Sequence, residues 1–422
     1  MTASRTWAVA LTGIDGALVE VEADQSNQTP DFRIIGLPDS ALREAGSRVH
    51  NAAANCGLPL SRRRITVNLS PASLPKHGSG FDVAIAVAAL ATDGTMDPGS
   101  LARTVHLGEL GLDGRLRPVP GVLPAVIAAR RAGFERVAVP HANAAEASLV
   151  DGVRVLGATS LADVVRWHGA DAPQLSLEAV PRPVASGPGA ETLELADVIG
   201  QPEAVEALIT AAAGDHHLLM SGPPGAGKTM LASRLPGILP ELDDEAAIAV
   251  ASIRSLSGDP VETLVRRPPF EAPHHSASVA SLVGGGSRLV RPGAIARATH
   301  GVLFLDEAGE FAGHALDALR QPLETGSIVI HRAGFTASFP ARFQLVLATN
   351  PCPCGNYGVR GAACECPPMA IRRYLGRLSG PLLDRVDIEL QLTRVAVAEA
   401  ARAPGERVST RTARARVAEA RE

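Results

Sequence analysis

The sequence has 422 residues, and at ~100–200 residues per domain this length predicts two to four domains. Its 40 Lys and Arg residues nearly balance 44 Asp and Glu residues, so the net charge of −4 excludes a chain that is basic throughout. No apolar run approaches the ~18 residues of a membrane helix, and the N-terminus lacks a secretion signal. Five cysteines are too few for a disulfide scaffold of this size. We therefore expect a soluble cytoplasmic protein with no membrane partner.

Residues 1–172 alternate short apolar segments with helical patterns. Strands are expected at residues 65–68 and 105–107, and helices at residues 82–91 and 121–132. Such alternation is typical of a mixed α/β domain.

The composition then changes. Residues 173–192 are expected to be a linker, because their second half places three prolines and two glycines between polar residues. Strands alternate with helices over residues 193–394, which predicts a parallel sheet with crossover helices. Residues 395–422 are rich in Ala, Arg and Glu and favour a helix.

A phosphate-binding loop is expected at residues 222–229, which fit G-x-x-x-x-G-K-[ST] without a mismatch. Glycines let the backbone N–H groups converge on phosphates, while Lys228 contacts the β- and γ-phosphates and Thr229 binds Mg²⁺. A chance glycine-rich loop is the alternative, which the preceding strand and following helix disfavour. Lys228 is one of only two lysines, the other being Lys76, and a planar guanidinium would fill this role poorly. The expected nucleotide-binding residues are Gly222, Pro223, Pro224, Gly225, Ala226, Gly227, Lys228, Thr229 and Met230.

Two further apolar strands end in polar residues suited to hydrolysis. Asp306 and Glu307 follow a buried-type strand, where Asp306 would help to hold Mg²⁺ and Glu307 would polarise the attacking water. Asn350 follows the next strand and is placed to contact the γ-phosphate or the water. An acidic turn and an Asx turn before Pro351 are the structural alternatives. Together with the phosphate loop, these residues predict a nucleoside-triphosphate hydrolase site that uses Mg²⁺.

The chain also resembles a known family. The segments APHHSAS, RPGAIARATHGVLFLDEAGEF, LRQPLETGSIVIHRAG, FPARFQLVLATNPCPCG and RRYLGRLSGPLLDRVDIEL resemble the magnesium-chelatase-like AAA+ ATPases of the YifB and ComM type. The N-terminal segments GLPDSALREAGSRVHNAAANCGLPL and ITVNLSPASLPKHGSGFDVAIAVAAL extend the resemblance over nearly the whole chain. The resemblance implies hexameric rings and, for the ComM type, branch migration on DNA during natural transformation.

The resemblance also implies roles for individual residues. It makes residues 222–229 the Walker A loop, Asp306 and Glu307 the Walker B acids, and Asn350 sensor 1. Arg385 matches the arginine finger that reaches the γ-phosphate of a neighbouring subunit.

Other matches concern DNA and the adenine base. Arg332 matches a basic residue on the hairpin before sensor 1, which points into the pore of related rings. Residues 255–300 match an insertion in the second helix of this clade. Val198 and Ile199 lie in the stretch DVIGQ, Asp197–Gln201, which matches the segment that flanks adenine in AAA+ proteins.

The chain departs from its relatives in two places. Residues 292–296 read PGAIA where relatives often have PGEIS. Relatives continue into a helical lid that carries a sensor-2 arginine, whereas residues 395–422 supply only the start of such a lid. We therefore expect an incomplete lid.

The N-terminal domain, residues 1–172, resembles the Lon-protease fold, as in the DNA repair protein RadA. A Lon-type site needs a nucleophilic serine and a lysine base. The alignment places Gly80 at the serine position and Leu123 at the lysine position, and Ser79 has no basic partner in the pattern. The domain is therefore expected to be proteolytically inactive.

Three consecutive arginines precede a strand of this domain, at Arg62, Arg63 and Arg64. They are a candidate patch for DNA phosphates. A solvated edge is the more ordinary explanation for such a run.

Four cysteines, Cys352, Cys354, Cys364 and Cys366, follow sensor 1 as two C-x-C pairs. Four thiolates can close a tetrahedral structural zinc site, although C-x-C is less diagnostic than C-x-x-C. The alternative is a group of reduced thiols. Adjacent histidines in the insertion point in different directions, so polar loop contacts are expected there rather than metal binding.

The predicted architecture is thus α/β, with a Lon-protease-like domain followed by an AAA+ P-loop domain. We expect a homohexameric ATP-driven motor on single-stranded or branched DNA, with Arg332 repeated around the pore. A chelatase-like motor acting on a protein partner is the alternative. A pure ATP switch is disfavoured, because it needs neither Glu307 nor Arg385.

Overall fold

The computed structural model describes residues 3–37, 39–182, 193–286, 290–332, 335–359, 361–395 and 407–422.

The N-terminal part is built on a mixed sheet. Its strands are β1 (Ser4–Thr12), β2 (Asp15–Ser26), β3 (Phe32–Ile35), β4 (Arg64–Ser70), β5 (Thr104–His106), β6 (Glu109–Leu110), β7 (Leu116–Arg117), β8 (Arg136–Pro140) and β9 (Arg154–Ala158). Its helices are α1 (Ser40–Arg43), α2 (Ala45–Asn55), α3 (Asp82–Ala91), α4 (Pro98–Ala102), α5 (Val122–Arg131), α6 (Ala144–Ala147) and α7 (Leu161–Trp167).

The order of the main sheet is β3-β4-β2-β1-β5-β8-β9. The β1–β2 and β2–β4 pairs are antiparallel, and the other neighbours are parallel. Side chains alternate across it, as period-2 geometry requires. Ala8 and Ala10 face a core shared with α2 and α3, whereas Val9 faces a core shared with α5. The mixed α/β prediction is confirmed.

The second part contains a parallel sheet. Its strands are β10 (Leu218–Ser221), β11 (Phe270–Glu271), β12 (Gly284–Gly285), β13 (Arg291–Pro292), β14 (Val302–Leu305), β15 (Ser327–Arg332), β16 (Phe335–Pro340), β17 (Gln344–Thr349) and β18 (Ile388–Gln391). Its helices are α8 (Pro202–Gly214), α9 (Lys228–Ala232), α10 (Leu235–Ile238), α11 (Asp244–Ser257), α12 (Val279–Val283), α13 (Ala294–Arg297), α14 (Gly313–Asp317), α15 (Arg320–Thr325), α16 (Pro368–Leu375), α17 (Gly380–Leu383) and α18 (Thr410–Arg421).

The order of this parallel sheet is β11-β14-β17-β10-β18. Strand β14 is buried on both faces: Val302 and Phe304 pack on one core, and Leu303 and Leu305 pack on the other. The expected parallel sheet is therefore present, and the carboxyl ends of β10, β14 and β17 lie side by side along one edge.

The two parts of the chain are in contact. Gly13, at the end of β1, forms a β-bridge with Ser338 on the β15–β16 hairpin. The N–H of Gly121, just before α5, donates to the carbonyl of Ser255 in α11 at 3.0 Å. A small apolar cluster that includes Leu123 and Ala251 continues this contact.

The C-terminal helix α18 packs on α8 and α10. Ala413 and Val417 are fully buried in the core of the parallel-sheet domain. The guanidinium of Arg414 donates to the carbonyl of Gly237 at 2.7 and 3.0 Å. Residues 396–406 of the predicted lid segment lie outside the described residues.

Across the described ranges, no helix combines the length and the apolar character that a membrane crossing requires.

Candidate nucleotide site

The loop between β10 and α9 has the backbone geometry of a phosphate-binding loop. Gly225 and Gly227 adopt φ values of +78° and +87°, in the left-handed region that favours glycine. A Cβ at Gly222 would lie 2.6 Å from the carbonyl oxygen of Leu392, so this position has no space for a side chain. The glycine spacing in the sequence therefore has two causes. Gly225 and Gly227 adopt a left-handed backbone, and Gly222 packs closely against the backbone of Leu392.

Side chains from outside the loop hold it in place. The side-chain amide of Gln201 donates to the carbonyl of Ala226 at 2.7 Å. The guanidinium of Arg394 donates to the carbonyl of Pro224 at 2.9 Å. Gln201 ends the segment Asp197–Gln201 that the sequence analysis matched to the adenine, but its contact with the phosphate loop, like that of Arg394, is visible only in the tertiary structure.

Lys228 lies at the centre of the site, with only 9% of its surface exposed. Its amine donates to the carbonyl of Gly222 at 2.6 Å, to that of Pro223 at 3.1 Å, and to the side-chain oxygen of Asn350 at 2.9 Å. Burial lowers the pKa of this amine from its usual range, whereas Asp306 opposes that shift. The structure thus brings together the predicted Lys228 and Asn350.

The expected magnesium ligands are also adjacent. The hydroxyl of Thr229 donates to Asp306 Oδ2 at 2.7 Å, although these residues are far apart in the chain. The other carboxylate oxygen of Asp306 accepts from the backbone N–H of Glu307 at 2.9 Å. A hydroxyl and a carboxylate beside a phosphate loop are the oxygen donors that Mg²⁺ takes in such sites, so the residues fit this ion.

Glu307 directly follows Asp306 and has a strained backbone, with φ of +52°. One of its carboxylate oxygens lies 2.9 Å from Nδ1 of His275. The neighbouring His274 instead contacts the Ser276 hydroxyl at 2.8 Å. The polar contact expected for this loop is present at His274, while His275 belongs to the nucleotide site and was missed.

The two residues expected to flank adenine lie just before α8. Val198 is buried in the core of the parallel-sheet domain, and Ile199 is partly exposed. Met230 is 36% exposed on α9.

Arg385 does not reach the phosphate loop of its own chain. Its guanidinium pairs with Glu324 and donates to the carbonyl of Pro381 at 2.7 Å. An arginine finger acts on a neighbouring subunit, so a position away from its own site is compatible with the expected role.

The candidate DNA contacts lie away from the nucleotide site. Arg332 is the last residue of β15, and its backbone is paired with that of Phe335 at the tip of the β15–β16 hairpin. The structure does not describe the side chain of Arg332. Arg62 and Arg63 are exposed, whereas Arg64 donates to the side-chain oxygen of Gln28 at 2.5 Å.

The four clustered cysteines converge. Their sulfur atoms all lie within 4.8 Å of one another, and Cys352 Sγ is 3.3 Å from Cys354 Sγ and 3.7 Å from Cys364 Sγ. The backbone N–H of Asn356 and the neighbouring thiols lower the pKa of Cys354 to about 6. The cluster therefore combines metal-ligating atoms at close range with a thiol that ionises readily.

The Lon-like part lacks a serine–lysine arrangement at the aligned positions. Ser79 donates its hydroxyl to Glu109, and Leu123 is buried in α5. The nearby Lys76 is fully buried, and its amine donates to the carbonyls of Gly36 and Leu69 at 3.0 and 2.9 Å and also to that of Pro71.

Comparisons with known proteins agree with this geometry. The family described as "Magnesium chelatase, subunit ChlI" matches residues 194–400, and "Subunit ChlI of Mg-chelatase" matches residues 21–143. A weaker similarity, 27% identity over 37% of this chain, links it to 21% of the Lon protease of Mycolicibacterium smegmatis. These matches support an α/β P-loop fold with a Lon-like part.

Three relatives are similar over most of their length. Protein Rv2897c of Mycobacterium tuberculosis is 49% identical over 100% of this chain and 83% of its own. The competence protein ComM of Haemophilus influenzae is 46% identical over 93% of this chain and 77% of its own. Protein YifB of Escherichia coli is 42% identical over 98% of this chain and 80% of its own. With an ATP site of this geometry and these similarities, the chain belongs to the magnesium-chelatase-like AAA+ ATPases of the ComM and YifB family.

Proposed function

We propose that this protein is an ATP-hydrolysing ring motor that acts on DNA, with a branch-migration or helicase-type activity in recombination or natural transformation. The observation that carries the proposal is that two hydrogen bonds, Lys228–Asn350 and Thr229–Asp306, occur together at one site. The chain that contains them is 46% identical to a competence protein. The first contact places a cation beside the phosphate loop, and the second supplies ligands for Mg²⁺. Glu307 would then activate the attacking water.

The position of Arg385 supports the ring part of the proposal. Its partner Glu324 is half-exposed, so the guanidinium can exchange this ion pair for the γ-phosphate bound by an adjacent subunit. A homohexamer would repeat this exchange at each interface. It would also place six copies of Arg332 at the hairpin tips, which makes a ring of positive charge suited to a phosphate backbone.

The test is the steady-state ATPase rate without DNA, with single-stranded DNA and with four-way junction DNA. Strong stimulation by DNA that is absent in Lys228→Ala supports the proposal. Arg332→Ala should abolish stimulation and keep the basal rate, whereas Arg131→Ala, at an exposed position on α5 outside the candidate DNA contacts, serves as the matched loss of a surface arginine. An ATPase rate that is the same without DNA, with single-stranded DNA and with junction DNA contradicts the DNA part of the proposal.

A chelatase-like motor that remodels a protein partner is the second candidate. Both matching family descriptions name a magnesium-chelatase subunit, which favours this candidate over a passive nucleotide switch. It predicts a rate that is indifferent to DNA in the same experiment and rises with a partner protein.

We also propose that Cys352, Cys354, Cys364 and Cys366 hold a structural zinc ion. With Zn–S bonds of about 2.3 Å, a tetrahedral site has sulfur–sulfur edges of about 3.8 Å, close to the sulfur separations of this cluster. The N–H of Tyr357 points to Cys352 Sγ at 3.3 Å, a donor that would stabilise a thiolate.

The zinc would act on the nucleotide site through Gly355. A Cβ at Gly355 would lie 2.4 Å from the Pro224 ring, so the cysteine loop packs directly against the phosphate loop. Elemental analysis should give one zinc per chain, and Cys364→Ser should lose it. Cys56, which is buried in the N-terminal part and lies outside the cluster, provides the control, since Cys56→Ser should retain the metal. Much less than one zinc per chain in the unmodified protein would contradict the site.

A further inference from the structure

A cavity of about 200 Å³ lies where the two parts of the chain meet. Val9 and Val122 line it from the N-terminal part, and Leu256 and Ala337 line it from the second part. Leu11, which also lines it, packs against the cores of both parts. Protein interiors contain few voids larger than a water molecule, and an apolar cavity of about 150 Å³ is large enough to bind benzene. This cavity therefore has room for a ligand with one ring.

One wall of the cavity is bare backbone. Gly80 lines it, and a Cβ at this position would have no atom within 4 Å. Gly80 does not adopt a positive φ, so a larger residue can stand there without backbone strain. A side chain placed at Gly80 would therefore fill the cavity.

The polar groups at the other end of the cavity are hydrogen-bond acceptors. Ser79 donates its hydroxyl proton to Glu109 Oε2, and both residues line the cavity. Because that proton is already engaged, the hydroxyl oxygen and the carboxylate can offer a ligand only acceptor sites. Among the described residues that line the cavity, Glu109 and His77 are ionisable and there is no lysine or arginine. This end of the cavity therefore favours a group that donates hydrogen bonds and carries positive charge.

We propose that the cavity binds a small apolar primary amine, whose ammonium group donates to Glu109 and Ser79. Its hydrocarbon part would lie between the two parts of the chain. Burial of that part supplies affinity, and the charge-assisted hydrogen bond to the carboxylate fixes the orientation. The phosphate loop, residues 222–229, does not line the cavity, so binding of the amine requires neither ATP nor hydrolysis.

A bound amine would strengthen the junction between the two parts. Ala337 directly precedes Ser338, which forms the β-bridge with Gly13, and Gly13 also lines the cavity. Gly121, whose N–H donates to the carbonyl of Ser255, is a further lining residue. A ligand that contacts walls from both parts stabilises the joined arrangement by mass action. Binding should therefore slow amide exchange in the β15–β16 hairpin.

The experiment is isothermal titration calorimetry of the full chain with benzylamine, benzyl alcohol and benzoate. The three probes share one ring and differ in their polar group, which is an ammonium, a hydroxyl or a carboxylate. One benzylamine should bind per chain, about tenfold more tightly than benzyl alcohol, because hydrogen bonds to charged groups are stronger than those between neutral groups. Benzoate should not bind, since its carboxylate would face that of Glu109. Hydrogen exchange with and without benzylamine measures the effect on β15 and β16.

Two variants test the position of the site. Gly80→Leu should abolish the binding of benzylamine and of benzyl alcohol. Gly313→Leu is the matched control, because Gly313 is exposed on α14 and a Cβ there also meets no atom within 4 Å. Glu109→Gln should weaken benzylamine binding about tenfold and leave benzyl alcohol unchanged. It preserves the shape of the cavity, so it decides the question if Gly80→Leu fails to fold.

The proposal is overturned if benzylamine gives no saturable binding to the unmodified chain, or if benzoate binds as tightly as benzylamine. It is also overturned if folded Gly80→Leu retains the affinity for benzylamine, because the amine then binds elsewhere. An unchanged affinity in Glu109→Gln rejects the carboxylate as the group that selects an amine.

Discussion

Lys228 and Asn350 are joined by a hydrogen bond of 2.9 Å between the lysine amine and the asparagine side-chain oxygen. The bond links the loop after β10 to the end of the neighbouring strand β17, so the amine and the amide are fixed relative to each other. The bond thus places side by side the two groups that we propose to contact the γ-phosphate.

The first prediction concerns Asn350. Asn350→Ala removes the polar group that we propose to contact the γ-phosphate or the water, and we expect kcat for ATP to fall about 10²-fold. Nucleotide affinity should change little, because the loop carbonyls still hold Lys228. The measurement is the ATPase rate together with the affinity for a non-hydrolysable ATP analogue. A variant that loses affinity and retains kcat would show that Asn350 serves binding alone.

The arrangement of the phosphate site could be predicted from the sequence because each predicted side chain follows a strand. Parallel strands end at a common edge, so Lys228, Asp306 and Asn350 had to approach one another once their strands shared a sheet. The hydrogen bond of 2.7 Å between Thr229 and Asp306 shows that the ends of β10 and β14 do bring their side chains together.

His275 could not be predicted in the same way. Its contact depends on β11, a strand of only two residues that carries no alternating pattern. The contacts that Gln201 and Arg394 make with the phosphate loop were missed for a related reason: each side chain donates to a loop carbonyl, and a carbonyl leaves no signature in the sequence. Long-range contacts to backbone atoms need the fold before they can be seen.

The second prediction concerns Lys76. The sequence shows it only as one of two lysines, whereas the structure places its amine among three backbone carbonyls. Lys76→Met keeps much of the volume but leaves the three carbonyls without this donor, so we expect a loss of about 3 kcal/mol or more in unfolding free energy. Both tryptophans, Trp7 and Trp167, lie in the N-terminal part, so their fluorescence during urea unfolding reports on it selectively.

Ser79→Ala is the control for Lys76→Met, because it removes one hydroxyl at the same end of the domain. It should leave the unfolding midpoint nearly unchanged. The unmodified chain and both variants should leave unfolded protein substrates uncleaved, because the Lon-like part is expected to be proteolytically inactive. Serine-dependent peptidase activity would contradict the predicted inactivity of the Lon-like part.

The third prediction concerns two buried histidines, His106 and His168, whose Nε2 atoms are 2.8 Å apart. Burial lowers the pKa of His168 to about 4, and burial followed by repulsion from His168 lowers the pKa of His106 well below its usual range. In the unfolded chain both groups take up protons near pH 6.5, so the unfolded state binds more protons at acidic pH. The contribution of these two histidines to the free energy of unfolding is therefore fully present above pH 6.5 and is lost as the pH falls toward 4.

The size of this loss is about 1.4 kcal/mol per histidine for each pH unit below 6.5. Urea unfolding followed by tryptophan fluorescence at pH 7 and pH 5 measures it. His168→Gln should reduce the difference between the two pH values, whereas His50→Gln, at an exposed position, should not. If the unmodified chain, His168→Gln and His50→Gln lose the same unfolding free energy between pH 7 and pH 5, groups other than His168 cause the loss.

The last prediction concerns the contact between the two parts of the chain. Gly13 has φ of +70°, and a Cβ on it would lie 2.0 Å from the carbonyl oxygen of Ser338. Gly13→Ala must therefore push the β15–β16 hairpin away from β1, at a cost of about 2 kcal/mol. Gly94→Ala is a matched control, since Gly94 has φ of +73° and no atom within 4 Å of its Cβ position. The control carries the same backbone strain without the collision.

Hydrogen exchange distinguishes the two glycine variants. Amide protons of β15 and β16 should exchange faster in Gly13→Ala than in the unmodified chain, and Gly94→Ala should leave them unchanged. The hairpin also carries Arg332, so its support by the N-terminal part connects that part to the proposed DNA contact. If Gly13→Ala exchanges like Gly94→Ala, the bridge to Ser338 does not support the hairpin, and the Lon-like part is not connected to the proposed DNA contact through it.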